Sequence, residues 1–270
     1  MTHAEQVERL EFNEANHSYK LDGKRLPSVT TILGIMGKGG LVPWAANMAA
    51  QHFHDEVAKL LFEDENGSLF AEFGVGGMEK LSGIHQGAKT AHNRAATDGA
   101  YKGSLVHDAI AQYHTDYLDY EPPVDPQAAL AMGAFLDWFG GCGLDVIESE
   151  RMILDAKCRY VGTTDIVLVP KKEYAKPFCI VADVKTNNKS SSSPTGIYPE
   201  HLLQLAAYAK AYEDETGMFV KETRVIHCGK DGLHNVLVRK RSEWKADYQQ
   251  FIGLVSMYEW LRDARKIVKG

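Results

Sequence analysis

The second half of the chain contains three short apolar segments whose patterning is typical of strands. They read VIESERMIL at 146–154, YVGTTDIVLV at 160–169 and FCIVADVK at 178–185. Val, Ile and Thr are frequent in them, and turns rich in Lys, Asp and Pro separate them. The pattern predicts three successive strands of a buried sheet, and the brief turns favour antiparallel pairing.

Other segments repeat apolar residues at spacings of three and four, which is the helical period. The expected helices cover about 41–62, 78–98, 103–117, 126–139, 199–215 and 242–268. The second and third are predicted to be separated by a break at Asp98-Gly99. Hairpins are expected within 17–33, closed by Asp22-Gly23, and within 223–240, closed by KDG. The sequence therefore predicts a mixed α/β (α+β) fold.

Length and apolar content fit one large globular domain. The chain has 270 residues, 44% of them hydrophobic, which is enough to bury a full core. We expect a single domain over 1–270. No apolar run reaches the roughly 18 residues of a membrane span, and the N-terminal MTHAEQVERLEF is too polar for a secretory signal peptide. The protein is therefore predicted to be cytoplasmic and to have no membrane partner.

Charge and cysteine usage exclude further classes of protein. The net charge of −6 argues against a protein that coats nucleic acid over its whole surface, because such a protein needs a basic field. It leaves room for a local basic groove beside an acidic metal site. The four cysteines lie far apart without a C-x-x-C pair, which argues against a disulfide framework or a zinc knuckle.

Ionisable residues occupy strand positions where a buried sheet would prefer Val or Ile. Asp165 interrupts GTTDIVLV, and Asp183 and Lys185 end the next strand. Side chains two apart on a strand point the same way, so Asp183 and Lys185 are expected to face one space. Antiparallel pairing would bring Asp165 close to Asp183, and two adjacent carboxylates favour a cation between them. Oxygen ligands suit Mg²⁺ or Mn²⁺, and Lys185 could then contact a phosphate or the attacking water.

The Asp-x-Lys tripeptide alone has little predictive value. The acid-x-Lys spacing also occurs at Asp22/Lys24, Asp155/Lys157 and Glu243/Lys245. A surface ion pair is the ordinary alternative, and such a pair contributes little. Asp155 lies in a turn and is interpreted as solvated. Glu150 stays open between a further carboxylate of the site and an outward-facing strand residue.

The order of four short motifs resembles the PD-(D/E)xK nuclease superfamily, in particular its RecB-like branch and related phage exonucleases. The motifs are G-x-x-x-H at Gly103–His107, G-x-x-D at Gly162–Asp165, D-x-K at Asp183–Lys185 and Q-x-x-x-Y at Gln204–Tyr208. Each motif is weak alone, but the four in this order, on the expected helices and strands, are specific. The N-terminal HSYKLDGKRLPSVTTIL also looks like the start of phage-type members.

The resemblance implies a restriction-endonuclease-like core made of a helix, a three-stranded meander, a helix and a strand. This core would cover 101–240. An N-terminal hairpin and helical elaboration would cover 1–100, and a C-terminal helix 241–270.

The resemblance also implies the roles of the motif residues. The metal site would be formed by His107, Asp165, Asp183 and the carbonyl of Val184. Asp165, Asp183 and Lys185 would be the catalytic residues. Gln204 and Tyr208 would steady the site or contact the DNA backbone. The implied cofactor is Mg²⁺, with Mn²⁺ as a substitute. Some relatives hold an iron-sulfur cluster through C-terminal cysteines that this chain lacks, so no cluster is expected.

The implied function is a metal-dependent exodeoxyribonuclease that acts on linear DNA ends in recombination or replication. DNA would be its partner, and a single-strand annealing or recombination protein is a further candidate partner. The location would be the host cytoplasm if the protein is phage-encoded. Two alternatives stay open, a structure-specific or restriction-like endonuclease and a catalytically inert module that binds DNA ends.

Overall fold

The computed structural model describes residues 3–13, 18–37, 41–63, 69–71, 77–157, 159–172, 177–189 and 193–269. The α-helices are α1 His3–Glu8, α2 Val29–Leu33, α3 Leu41–Ala58, α4 Gly77–Thr115, α5 Pro126–Gly141, α6 Pro199–Thr216 and α7 Arg241–Lys269. The strands are β1 Leu10–Asn13, β2 Ser18–Leu21, β3 Lys24–Leu26, β4 Leu61–Glu63, β5 Leu69–Ala71, β6 Leu144–Leu154, β7 Val161–Pro170, β8 Cys179–Lys185, β9 Val220–Cys228 and β10 His234–Lys240. The fold is therefore mixed α/β, as predicted.

The chain forms two compact units, one made of Met1–Met36 with Lys102–Gly270 and the other of Gly37–Tyr101. The elaboration predicted over 1–100 is thus divided, because its first part belongs to the unit that contains the predicted core. Apolar residues of the N-terminal strands explain this: Tyr19 packs with Leu154 and Val161 in one buried cluster.

A five-stranded sheet is the centre of the first unit, with the strand order β10-β9-β8-β7-β6. The strands β6, β7 and β8 form an antiparallel meander, whereas β9 runs parallel to β8 after the crossover helix α6. Alternate residues of each strand point to opposite faces. Val181 therefore packs with α2, α6 and α7 on one face, and Ile180 packs with α5 and the end of α4 on the other.

The predicted N-terminal hairpin is present and leads into a short helix. β2 and β3 pair across Asp22 and Gly23, which both have positive φ, as this two-residue turn requires. The side chain of Ser28 caps α2 by accepting from the N–H of Thr31 at 3.0 Å. A bridge from Ser28 to Val161 then connects this segment to the start of β7.

Two expectations about local structure are wrong. The break predicted at Asp98-Gly99 is absent, since α4 continues through both residues. A glycine in a helix costs only about 1 kcal/mol and keeps its hydrogen bond, so it does not end the helix. Asp155, interpreted as solvated, is only 2% exposed. It closes the turn before β7 by accepting two hydrogen bonds from the guanidinium of Arg159, at 2.8 and 3.0 Å.

No helix within the described residues combines the length and the apolar character needed to cross a membrane.

Candidate metal and catalytic site

The candidate site lies where the main-chain ladder between β7 and β8 stops. Ile166 and Ala182 form its last pair on this side. Two residues further along β8, the N–H of Val184 donates to Oδ2 of Asp165 at 2.6 Å. A charge-assisted bond to a carboxylate thus replaces a main-chain bond. It fixes the Asp165 side chain between the two strands.

Asp183 and Lys185 lie together on the face of β8 that α6 covers. Their side chains form an ion pair, with Nζ of Lys185 2.6 Å from Oδ2 of Asp183. The Asp183 side chain is 1% exposed and that of Lys185 is 22% exposed. Neither oxygen of Asp183 makes a well-aligned hydrogen bond to the described residues, so the ion pair through Oδ2 is its main compensation. A buried carboxylate is therefore only half satisfied, and such a group is costly unless a further cation binds it.

The charges at this point are not balanced. Burial raises the pKa of Asp183, and the like charge of Asp165 raises it further, so that Lys185 only partly offsets the shift. Burial alone would lower the pKa of Lys185, but Asp183 and Asp165 outweigh burial and raise it. Lys185 is therefore an ammonium at neutral pH. With Glu150 nearby, three carboxylates face Lys185 and His107, and a divalent cation would neutralise the remaining negative charge.

His107 approaches Asp165 from the last turns of α4. Its Nδ1 lies 3.5 Å from Oδ1 of Asp165 and 3.5 Å from Oε1 of Glu150. Burial alone would lower the pKa of His107, but the two carboxylates outweigh burial and raise the pKa to about 9. The imidazolium occupies the place of a cation in this cluster, and a metal ion would have to displace its proton.

Glu150 is the residue of this cluster that the sequence left undecided. Its backbone adopts φ +48°, which is uncommon for a residue with a side chain. Glu148 and Arg151 both reach residues of α6 although they are three positions apart, so the alternation of β6 is interrupted between them. Regular alternation would place Glu150 on the same face as Glu148. The interruption turns it towards His107 instead, and no sequence pattern indicates this.

Two motif glycines leave space for side chains of neighbouring elements. A Cβ at Gly162 would lie 2.6 Å from Cε1 of Tyr208, and a Cβ at Gly103 would lie 3.3 Å from Oγ1 of Thr186. Tyr208 is buried and its hydroxyl accepts a hydrogen bond from Nε2 of Gln204 at 2.9 Å. Tyr208 therefore fills the space above β7 that Gly162 leaves, next to Asp165 and Asp183.

The described residues fit a divalent cation. His107, Glu150 and Asp165 offer ligand atoms that all lie within 4.8 Å of one another. The half-satisfied carboxylate of Asp183 is an independent indication, although Asp183 lies outside this group. Carboxylate oxygens with one imidazole suit Mg²⁺ or Mn²⁺. The structure thus brings His107 and Asp165 together as predicted and adds Glu150, whereas the role of the Val184 carbonyl stays a prediction.

Replacing Glu150 with Gly should separate strain from metal binding. Because glycine adopts positive φ without strain, we expect the free energy of unfolding to stay unchanged or rise by up to about 1 kcal/mol. Mn²⁺ affinity should fall by on the order of tenfold or more, since one ligand is lost. Thermal unfolding and Mn²⁺ titration calorimetry measure the two effects. Glu150→Ala is the control, because it loses the carboxylate and keeps the backbone strain. Equal Mn²⁺ affinity in the wild type, Glu150→Gly and Glu150→Ala would exclude Glu150 as a ligand.

Three comparisons set the chain beside known proteins. No family model matches it, and no curated protein matches it. Among solved structures it is similar to one described as "Crystal structure of SSO0001", with 17% sequence identity and a TM-score of 0.27. The similarity covers 57% of this chain and 74% of that chain. A TM-score of this size does not define a common fold.

Proposed function

We propose that the protein is a metal-dependent deoxyribonuclease with a restriction-endonuclease-like core, and that it acts as an exonuclease on linear DNA ends. The observation that supports this is the convergence of His107, Asp165, Asp183 and Lys185 at one end of the five-stranded sheet. The elements around them follow the order helix, three-stranded meander, helix and parallel strand. This is the order that the resemblance to nucleases implies.

His107, Asp165 and Asp183 would hold the cation, and Glu150 would add a fourth side chain. A bound Mg²⁺ or Mn²⁺ neutralises charge on a phosphate and lowers the pKa of a water molecule. The chain's own groups hold these side chains in place. The N–H of Val184 fixes Asp165, and the Gln204–Tyr208 pair limits the space beside it.

Lys185 supplies positive charge to the phosphodiester. Its ammonium is held by Asp183 and stays protonated at neutral pH, so it acts as a donor and not as a base. Hydrolysis places additional negative charge on the phosphate oxygens in the transition state. A prepositioned ammonium in a largely buried site stabilises that charge without reorganisation, and we assign this role to Lys185.

DNA is the proposed substrate and partner, with a single-strand annealing or recombination protein as the second proposed partner. The overall charge of −6 requires that contacts to DNA be local to the site. Phage-type recombination or replication in the host cytoplasm is the setting that the motif order favours.

Digestion of linear duplex DNA, labelled separately at each end, tests the proposal. We expect stepwise loss of one label with Mg²⁺ or Mn²⁺, none with EDTA, and no cleavage of a closed circular duplex. Lys185→Gln keeps a donor for Asp183 but removes the charge, so we expect its rate to fall by on the order of 10²-fold.

Other outcomes would identify the alternatives. Metal-dependent cutting of the closed circle would indicate an endonuclease. Intact DNA under every condition, together with retained binding to DNA ends, would indicate an inert end-binding module and contradict the proposal.

A further inference from the structure

A cavity of about 310 Å³ lies beside the start of α6, on the face of the sheet that carries Asp183 and Lys185. Side chains from three segments form it: the loop before α6, the first turns of α6, and the edge strand β10. Its lining includes Thr195, Ile197, Tyr198, Leu202, Asn235 and Leu237. The cavity thus has apolar and aromatic walls, with the hydroxyls of Thr195 and Tyr198 and the amide of Asn235, which is the usual chemistry of a site for a flat organic ring.

The loop wall of this cavity is held in place by buried contacts. Nε2 of His227, which is fully buried, lies 2.7 Å from the carbonyl oxygen of Asn187. The Asn187 amide donates to the carbonyl of Gly196 at 2.8 Å. Gly196 has φ +75°, and a Cβ there would lie 2.1 Å from the His227 ring. The hydroxyl of Ser193 donates to the carbonyl of Ile197 at 2.8 Å. The wall is therefore formed before any ligand binds, which reduces the entropy lost on binding.

The first turn of α6 connects the cavity to the candidate catalytic residues. Tyr198 lines the cavity, and its main-chain N–H donates to Nδ1 of His201 at 3.2 Å. The two rings meet edge to face with centroids 5.6 Å apart. The register of the sheet gives a second connection, because Asn235, which lines the cavity, pairs with His227 of β9, and His227 pairs with Lys185 of β8. The cavity wall therefore lies two strands, about 10 Å, from Lys185.

We propose that this cavity binds one unpaired nucleobase of the DNA strand whose phosphodiester lies at Asp183 and Lys185. The inference rests on the proposed function, because the phosphodiester position comes from it. A base is flat and uncharged, and it has polar edges and two apolar faces. Tyr198, Ile197 and Leu202 match the faces, and the Asn235 amide and Thr195 hydroxyl match the edges.

The size of the cavity specifies the substrate further. About 310 Å³ is at the lower end of the range of small-molecule sites. A single nucleobase fits within it. A base whose edges contact Asn235 and Thr195 cannot pair with a complementary base, so we expect the enzyme to prefer single-stranded DNA ends to blunt duplex ends.

Leu237 and Val238 provide a matched pair of variants. They are neighbours on β10 with nearly equal exposure, 38% and 40%, but Leu237 lines the cavity and Val238 does not. Leu237→Trp places an indole ring in the cavity, whereas Val238→Trp adds the same ring at a neighbouring position that does not line it. Both variants are made in the full chain, and thermal unfolding checks that they fold.

The experiment uses single-stranded oligonucleotides with Mg²⁺ in which one abasic residue is moved stepwise from the end. For the wild type we expect cleavage to slow by roughly 5- to 150-fold when the abasic residue reaches one fixed position, because base stacking is lost. Val238→Trp should keep this dependence. Leu237→Trp should cleave normal DNA as slowly as the abasic substrate and lose the dependence. Wild-type cleavage that is equal at every abasic position overturns the inference and leaves the nuclease proposal intact.

A second measurement does not depend on catalysis. In EDTA, 2-aminopurine at the same position should change its fluorescence on binding to the wild type and to Val238→Trp, but not on binding to Leu237→Trp. Identical fluorescence changes in all three proteins would overturn the base site. If the wild type binds DNA without cleaving it, the proposed function fails and this measurement still decides whether the cavity takes a base.

Discussion

Replacing Asp165 with Asn is expected to reduce DNA cleavage by on the order of 10²–10³-fold while the fold is retained. The asparagine carbonyl can still accept from the N–H of Val184, so the connection between β7 and β8 survives. The negative charge next to His107 is lost, and with it the carboxylate that we assign to the cation. Single-turnover cleavage rates at saturating Mg²⁺ measure the effect on activity, and Mn²⁺ titration measures the effect on metal binding.

Asp145→Asn is the control for this variant. Asp145 lies near the start of β6, is 58% exposed and is 3.8 Å from Nζ of Lys171. The Asp145→Asn substitution removes the same charge from the same sheet but away from the site. An exposed ion pair such as Asp145–Lys171 contributes little to stability. We expect wild-type rates for it. An Asp165→Asn protein that folds normally and cleaves at the rate of Asp145→Asn would contradict the assignment of the site.

The strands of the first unit were predictable because their pattern depends on local chemistry. The three segments expected at 146–154, 160–169 and 178–185 correspond to β6, β7 and β8 to within two residues. Apolar, β-branched residues bounded by turn residues specify a buried strand with little help from the rest of the chain. The start of α6 was predictable for a similar reason, because Pro199 suits a first helical turn.

Sequence reasoning missed three features, one that depends on a contact between distant segments and two that are local. Glu150 reaches His107 only because β6 departs from regular alternation at a positive φ angle. α4 continues through Gly99 because a glycine weakens a helix without ending it. Asp155 is buried because Arg159 folds back on it. Packing between distant segments decided the environment of Glu150, whereas the other two outcomes follow from the energetics of neighbouring residues.

The meeting of Asp183 and Lys185 was predictable, but the reason for the glycine in the G-x-x-D motif was not. Period-two alternation placed both charged side chains on one face, and they form an ion pair there. The role of Gly162 became clear only from the position of Tyr208, a residue 46 positions later in the sequence. Gly162 of the G-x-x-D motif and Tyr208 of the Q-x-x-x-Y motif therefore form one packing unit beside Asp165.

This packing unit predicts that Gly162→Ala destabilises the protein. The new methyl group would lie 2.6 Å from Cε1 of Tyr208 and 3.2 Å from its hydroxyl oxygen. Tyr208 is 3% exposed and packs within the main core cluster, so its ring cannot move away without displacing neighbours. Overpacking of this kind costs about 1–3 kcal/mol. Denaturant unfolding measures the loss, and we expect cleavage to fall as well, because the displaced ring lies next to Asp165 and Asp183.

Gly253→Ala is the matched control, since Gly253 lies exposed in α7 and a Cβ there would meet nothing within 4 Å. Alanine favours the helix, so we expect Gly253→Ala to be stabilising by up to about 1 kcal/mol. The clash itself is tested in a Tyr208→Leu background, where a smaller side chain leaves room for the methyl group. Gly162→Ala should lower the free energy of unfolding by at least about 1 kcal/mol less in that background, because the effects of substitutions at contacting residues are not additive. An equal cost in both backgrounds would show that Gly162 is required for a reason other than Tyr208.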